Sequence, residues 1–218
     1  MPFIYRKNRC LLRITGQQPA TENGMDCFFE KRRIYGIINP TGRKRRSIMI
    51  LRGKMKEIEI LGDNRFETFS KTRAGSRAVI VRDGMILLSH ETVSGWWLVP
   101  GGGMEGNETP EECCVREAEE ETGFVVKPLR QFLTLYEYYE EYRYISYYFV
   151  CEVTGVGRMR LTDAEKQRGL EPQWIPLQEA VELFSRHQDY AETSEEKRGS
   201  YLREYSALQE YLASGTVT

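Results

Sequence analysis

The stretch GGMEGNETPEECCVREAEEETGF at residues 102–124 contains the most informative pattern in the chain. Its glycines continue a run that follows Pro100, which predicts a turn with unusual backbone angles and room for a ligand to approach. Thr109, Pro110 and two glutamates then have the form of a capped helix start. Because Gly123 is a typical helix stop, the stretch predicts a glycine-rich turn and one helix from about residue 110 to residue 121.

Three glutamates share one face of this predicted helix. Glu117, Glu120 and Glu121 stand at positions i, i+3 and i+4, where like charges repel. We expect Arg116 to offset part of this repulsion by pairing with Glu112 or Glu120. A divalent cation offsets more, because carboxylate oxygens are the ligands that Mg²⁺ and Mn²⁺ prefer. A solvated acidic helix is the alternative, but the glycine turn, the arginine and the fixed offsets favour a metal site.

The spacing G-x5-E-x7-R-E-U-x-E-E-x-G-U, with U apolar, runs from Gly102 to Phe124 and resembles the Nudix box at every fixed position. The resemblance implies an α/β fold: a Nudix-type α/β/α sandwich with a mixed β-sheet and the catalytic helix after a glycine-rich loop. It also implies Mg²⁺- or Mn²⁺-dependent hydrolysis of the pyrophosphate bond of a nucleoside diphosphate linked to another group.

The resemblance also assigns roles to individual residues. The metal ligands and catalytic residues would be three glutamates with an arginine that orients them: Glu117, Glu120, Glu121 and Arg116. The phosphate loop would be shaped by two glycines and braced by an acid: Gly102, Gly103 and Glu108. Family members often recruit a further acid or base outside the box, and the candidates here are Glu137, Glu140 and Glu141, with Glu171 behind them.

The substrate is less well defined, because most submotifs that mark individual Nudix subfamilies are missing. The SQPWPFPxS motif of NADH-type members is absent, and Glu140 replaces the proline of ADP-ribose members. A tyrosine found in some dinucleoside polyphosphate hydrolases matches Tyr142, within a tyrosine-rich region. We expect base or ribose contacts from Trp96, Trp97 or Tyr142. The substrate is then a small nucleotide such as a (d)NTP, an oxidised nucleotide, a nucleotide sugar or a dinucleotide.

The composition is that of an ordinary soluble protein. The chain has 218 residues, of which 40% are hydrophobic and 29% charged. It has no apolar run of membrane-spanning length and no signal-peptide core, so we expect a cytoplasmic protein without a membrane partner. Five cysteines without a CxxC pair and only two histidines make a zinc site an unfavourable interpretation.

Charge divides the chain into two parts. Residues 1–54 contain 13 Lys and Arg against 3 Asp and Glu, whereas residues 55–218 contain 18 against 29. We interpret residues 1–54 as a basic, poorly ordered N-terminal extension with candidate strands at 35–38 and 48–51. Alternatively, its basic clusters at 31–33 and 43–46 contact nucleic acid. A third hypothesis is that the natural product starts at Met55, because Arg52-Gly53-Lys54 can be encoded by purine-rich codons resembling a bacterial ribosome-binding sequence.

The remaining chain predicts a Nudix domain at 55–192 and a C-terminal helix within 193–218. The segment after Met55 alternates between charged and apolar residues, as an edge strand does. A turn at Asp83-Gly84 predicts a hairpin. Further strands are predicted at 96–99, 125–139, 142–153 and 172–175, a polar loop at 161–169 and a helix at 176–187. The C-terminal helix would pack on the domain or on a second subunit, which would make a homodimer.

Two other function classes remain open. An RNA 5′-end pyrophosphohydrolase would use the basic segment for backbone contacts. A non-catalytic, nucleotide-sensing Nudix module is the other alternative, although the intact box disfavours it.

Overall fold

The computed structural model of the protein describes residues 11–15, 55–61, 69–139 and 141–215. The described residues all belong to one compact unit. The candidate strands at 35–38 and 48–51, the basic clusters and Glu140 lie outside the described residues.

The described residues form nine β-strands and four α-helices. The strands are β1 (Leu11–Thr15), β2 (Lys56–Leu61), β3 (Lys71–Arg82), β4 (Met85–Glu91), β5 (Trp96–Leu98), β6 (Gly101–Gly103), β7 (Phe124–Tyr139), β8 (Tyr142–Val156) and β9 (Leu170–Pro176). The helices are α1 (Pro110–Thr122), α2 (Asp163–Arg168), α3 (Leu177–Ser185) and α4 (Glu195–Ala213), and a 3-10 helix spans Arg186–Tyr190. None of these helices combines the length and apolar character that a membrane crossing needs.

The strands form one mixed sheet in the order β1-β2-β7-β8-β3-β4-β5, with β6 paired to β3 and β9 paired to β4. The pairs β2–β7 and β3–β8 are parallel, and the other pairs are antiparallel. The predicted hairpin is β3–β4. It turns at Asp83 and Gly84, which both have positive φ, as a two-residue hairpin turn requires.

Helices cover both faces of the sheet, so the predicted α/β/α sandwich is confirmed. Val79 of β3 belongs to the core that the sheet forms with α3 and α4. Its neighbours Ala78 and Ile80 point the other way and pack with Cys114 and Ala118 of α1. Helices α1 and α4 therefore lie on opposite faces, with β3 between them.

Three expectations differ from the structure. β2 is an interior strand between β1 and β7 rather than an edge strand. The alternation of charged and apolar residues in β2 indicates that one face of the strand is polar. It does not indicate whether one or both edges of the strand are paired. Leu11–Thr15 forms a strand paired with β2, although the sequence analysis placed it in a poorly ordered extension. The predicted loop at 161–169 contains α2, which begins with a capping box at Thr162 and Glu165.

Candidate functional site

The glycine turn is fixed against the sheet by direct backbone contact. β6 pairs with β3 at Gly75, Ser76 and Arg77. A Cβ atom on Gly101 would lie 2.0 Å from the Ser76 carbonyl oxygen, and Gly101 has a φ of 149°. Because no side chain fits at this crossing, the glycine allows the turn to lie directly against β3.

Local sequence signals define both ends of α1. The Thr109 hydroxyl accepts from the Glu112 backbone N–H, and the Glu112 carboxylate accepts from the Thr109 backbone N–H. Gly123 ends the helix in the left-handed conformation. The predicted alternative pairing of Arg116 with Glu112 is therefore wrong, because the capping box occupies the Glu112 carboxylate.

Arg116 joins the glycine loop to the acidic face of α1. Its guanidinium donates to both carboxylate oxygens of Glu108, at 3.0 and 2.7 Å, and to the Gly103 carbonyl oxygen at 2.9 Å. It also donates to Glu117 at 2.8 Å and to Glu120 at 3.2 Å. The hydrogen bonds from Arg116 lower the pKa of the Glu108 carboxyl to about 2. Glu108 thus remains ionised and links the loop to the helix.

The three glutamates of the acidic face have different surroundings. Glu121 is buried, and its Oε2 atom accepts from the Ser89 hydroxyl at 2.7 Å and from the Gly101 N–H at 3.1 Å. Burial raises the pKa of the Glu121 carboxyl to about 7. Burial also raises the pKa of Glu117, whose side chain is 12% exposed, against 30% for Glu120. Glu120 is therefore the most solvent-accessible carboxylate of the three.

The donor chemistry of this face suits a hard divalent cation. Within the described residues, no group of three His, Cys, Asp or Glu side chains has the arrangement of a formed metal site. Here Arg116 lies between the Glu117 and Glu120 carboxylates and bonds to both. The available donors are nonetheless carboxylate oxygens on one helix face, the ligand type that Mg²⁺ and Mn²⁺ select. The residues fit such an ion in chemical type.

The candidate acids outside the box lie in different places. Glu137 is buried and pairs with Arg203 of α4 at 3.3 Å. Glu141 is exposed and pairs with Lys71 at the start of β3. Glu171 accepts a hydrogen bond from Gln173 on β9. The structure therefore places one of these acids, Glu137, in a buried network that also contains Arg77 beside the glycine turn.

Each predicted aromatic ring already has a partner within the protein, either another ring or a lysine. Trp97 stacks on His90 with ring centroids 3.9 Å apart, and Lys197 lies 5.9 Å from the Trp96 ring. Tyr142 stacks on Tyr144 at 5.5 Å, at the β7–β8 turn. The structure thus puts the tryptophans on β5 and Tyr142 at the start of β8, not in one cluster.

Two residues of the site were missed by sequence reasoning. Ser89 donates to Glu121 from within β4, and Arg77 donates to the Val99 and Gly101 carbonyl oxygens at 3.2 and 2.9 Å. Each is a polar residue within or next to an apolar stretch of a strand. That feature can be seen in the sequence, but it does not indicate a functional role. Neither partner can be deduced from spacing, because the contacts cross between separate elements.

A glycine turn packed on a strand, followed by a helix on which one arginine bonds to two of the three glutamates, is the arrangement expected of a Nudix-type protein. The family model for the NUDIX domain matches residues 71–196, more than half of the chain. The chain belongs to the NUDIX family.

Similar proteins include two diphosphoinositol polyphosphate phosphohydrolases. The mouse 3-alpha protein is 33% identical over 107 residues, and the human 3-beta protein is 32% identical over 107 residues. Each match covers 48% of this chain, which spans 62% of the length of these curated relatives. A NUDIX hydrolase structure from Nitrosomonas europaea is 22% identical, with a TM-score of 0.46, over 63% of this chain and 90% of that chain.

Proposed function

We propose that this domain hydrolyses a phosphoanhydride bond in a small anionic substrate, with a divalent cation bound by Glu117, Glu120 and Glu121. The observation that carries the proposal is the cluster in which Arg116 bonds to Glu108, Glu117 and Glu120 beside the glycine turn. Family membership supports the same reaction class. Mg²⁺ or Mn²⁺ is the proposed ion, because its ligands would all be oxygen atoms.

The chain's own residues have distinct tasks in this proposal. Glu120 supplies the most accessible negative charge and Glu117 a largely buried carboxylate, while Glu121 joins α1 to the Gly101 N–H. Arg116 orients two of the glutamates, and Glu108 holds Arg116 in turn. A bound divalent cation would neutralise charge on the diphosphate and lower the pKa of a coordinated water. We propose that one of these glutamates, or Glu137, accepts the proton of the attacking water.

The substrate class follows from chemistry shared by two groups of compounds. The names of the mammalian relatives give an inositol polyphosphate that carries a diphosphate group. The box itself suits a nucleoside diphosphate joined to another group, such as a (d)NTP, an oxidised nucleotide, a nucleotide sugar or a dinucleotide. Both groups of compounds contain a phosphoanhydride that a divalent cation could bridge. We therefore propose a small-molecule substrate. We also propose that the protein is cytoplasmic, and the homodimer stays a prediction.

A substrate panel with one site variant tests the proposal. Phosphate or pyrophosphate release is measured with diphosphoinositol pentakisphosphate, ADP-ribose, a nucleotide sugar, nucleoside triphosphates, dinucleoside polyphosphates and 5′-triphosphate RNA, each with Mg²⁺ or Mn²⁺. We expect one dominant cation-dependent activity, which Glu120→Gln lowers by a factor on the order of 100 to 1,000 through loss of cation-binding charge.

The matched control is Glu111→Gln, which removes an exposed glutamate from the same helix outside the acidic face. It should leave turnover close to that of the parent. Equal turnover by both variants would contradict the proposed cation site. A dominant activity on 5′-triphosphate RNA would instead favour the RNA-directed alternative, and tight nucleotide binding without any turnover would favour the non-catalytic module.

A further inference from the structure

Arg77 lies between the glycine turn and the C-terminal helix. On one side its Nη1 atom donates to the Gly101 carbonyl oxygen at 2.9 Å and to the Val99 carbonyl oxygen at 3.2 Å. On the other side its Nε atom lies 3.9 Å from Oε1 of Glu204 in α4. One guanidinium therefore contacts both the turn that precedes the catalytic helix and a helix on the opposite face of the sheet.

The α4 side of this contact is a buried network with balanced charge. Oε1 of Glu204 accepts from Arg203 at 2.8 Å, and Oε2 accepts from the Tyr148 hydroxyl at 3.0 Å. Arg203 also pairs with Glu137. Two carboxylates and two guanidiniums thus compensate one another inside the protein, where an unpaired charge is costly. The network gives Glu204 a fixed position from which it can hold Arg77.

The glycine-turn side of the contact leads directly to the acidic face. The carbonyl oxygen of Gly101 accepts from Arg77, while its N–H donates to Oε2 of Glu121. Both polar backbone groups of Gly101 are therefore bound, one by β3 and one by α1. Loss of the Arg77 bond would release one side of this glycine and allow β6 to shift relative to Glu121.

We propose that Arg77 is a positioning residue that holds Gly101 against Glu121, and that Glu204 of α4 holds Arg77 in turn. α4 is then a functional part of the site, although all but its first two residues lie beyond the 71–196 family match. Its catalytic consequence rests on the proposed function, but the contact itself can be tested without turnover.

The first test is amide hydrogen exchange on the full chain without cation or substrate. In Arg77→Gln the Gly101 amide should exchange on the order of ten times faster than in the parent, because its local structure opens more readily. Glu204→Gln should have the same effect to a smaller degree. The amides of Leu87 and Leu88, in the core strand β4, serve as the internal reference for global unfolding.

The controls are Arg186→Gln and Glu182→Gln, which break an exposed arginine–glutamate pair on the surface of the protein. They should leave Gly101 exchange unchanged. If Arg77→Gln does not fold, Arg77→Lys keeps the positive charge but loses the guanidinium geometry, and it should accelerate Gly101 exchange by a smaller factor. Unchanged Gly101 exchange, or equal acceleration at Gly101, Leu87 and Leu88, would overturn the proposal.

Turnover provides the second test, with whichever panel compound the parent hydrolyses. We expect kcat to fall on the order of tenfold in Arg77→Gln with KM changed by less than about threefold, because orientation rather than ground-state binding is lost. The double variant with Glu204→Gln should be no slower than Arg77→Gln alone. Losses that multiply would overturn the proposed coupling. A parent without any turnover would refute the proposed function and leave the exchange result to decide the role of Arg77.

Discussion

The Gly102→Ala substitution tests the geometry of the acidic face. A Cβ atom on Gly102 would lie 2.5 Å from the carboxylate atoms of Glu117. Non-bonded heavy atoms normally approach to about 3.5 Å. The Glu117 carboxylate must therefore move by about 1 Å, and it can do so because it is the end of a flexible side chain.

This displacement should affect catalysis much more than stability. Misplacement of a reacting group by about 1 Å costs on the order of 100-fold in rate, so we expect kcat to fall by about that factor. Neither Gly102 nor Gly155 has positive φ, so alanine fits the backbone at both positions. Both substitutions also restrict the unfolded chain, which stabilises the fold by about 0.4–1 kcal/mol where no strain opposes it.

Gly155→Ala in β8 is the matched control, because Gly155 lies outside the glycine turn and its added Cβ atom would meet only the Val125 Cβ atom, at 3.8 Å. Steady-state turnover and thermal unfolding of both variants are measured beside the parent. We expect Gly155→Ala to retain parental turnover and Gly102→Ala to lose most of it, with similar unfolding temperatures. Equal turnover in the two alanine variants would refute the inference that the Glu117 carboxylate must occupy the space above Gly102.

Three further predictions concern charge and packing. The folded pKa of Glu121, about 7, lies above its unfolded value of about 4.5, so its stabilising contribution is present below pH 4.5 and lost as the pH rises through 7. The unfolding free energy is measured by urea denaturation between pH 5 and pH 8 without metal. Over this range the parent should lose about 2–3 kcal/mol more than the Glu121→Gln variant, and equal losses in the two proteins would contradict the prediction. Glu108→Gln should weaken the hold on Arg116 and lower kcat about tenfold, whereas the exposed Glu182→Gln should leave it unchanged. Leu88→Ala should reduce the unfolding free energy by about 2–5 kcal/mol, because Leu88 is fully buried, whereas half-exposed Leu129→Ala should cost much less.

The elements specified by local interactions were predicted well. The Thr109 cap, the Gly123 stop and the shared face of Glu117, Glu120 and Glu121 depend on residues within one or two helical turns. The hairpin at Asp83-Gly84 and the long strands β7 and β8 likewise follow from turn residues and β-branched runs. The error at α2 arose because a short polar helix has no apolar period to reveal it.

The identity of long-range partners could not be obtained in the same way. Spacing allowed Arg116 to reach Glu112 or Glu120, but the conformation of the loop brings Glu108 to it instead of Glu112. Glu137 was one of several candidate acids, and its pairing with Arg203 depends on how α4 packs on the sheet.

The sequence by itself determined the set of glutamates on one helix face, because that depends on local spacing. It also gave the family, through the resemblance of residues 102–124 to the Nudix box, and that resemblance implied the sandwich architecture. Tertiary structure alone decided that Ser89 and the Gly101 N–H bind Glu121, and that Arg77 connects this turn to Glu204. The physical reason is that sheet pairing and helix packing juxtapose groups far apart in the chain. At one of these contacts, burial also raises the pKa of the Glu121 carboxyl.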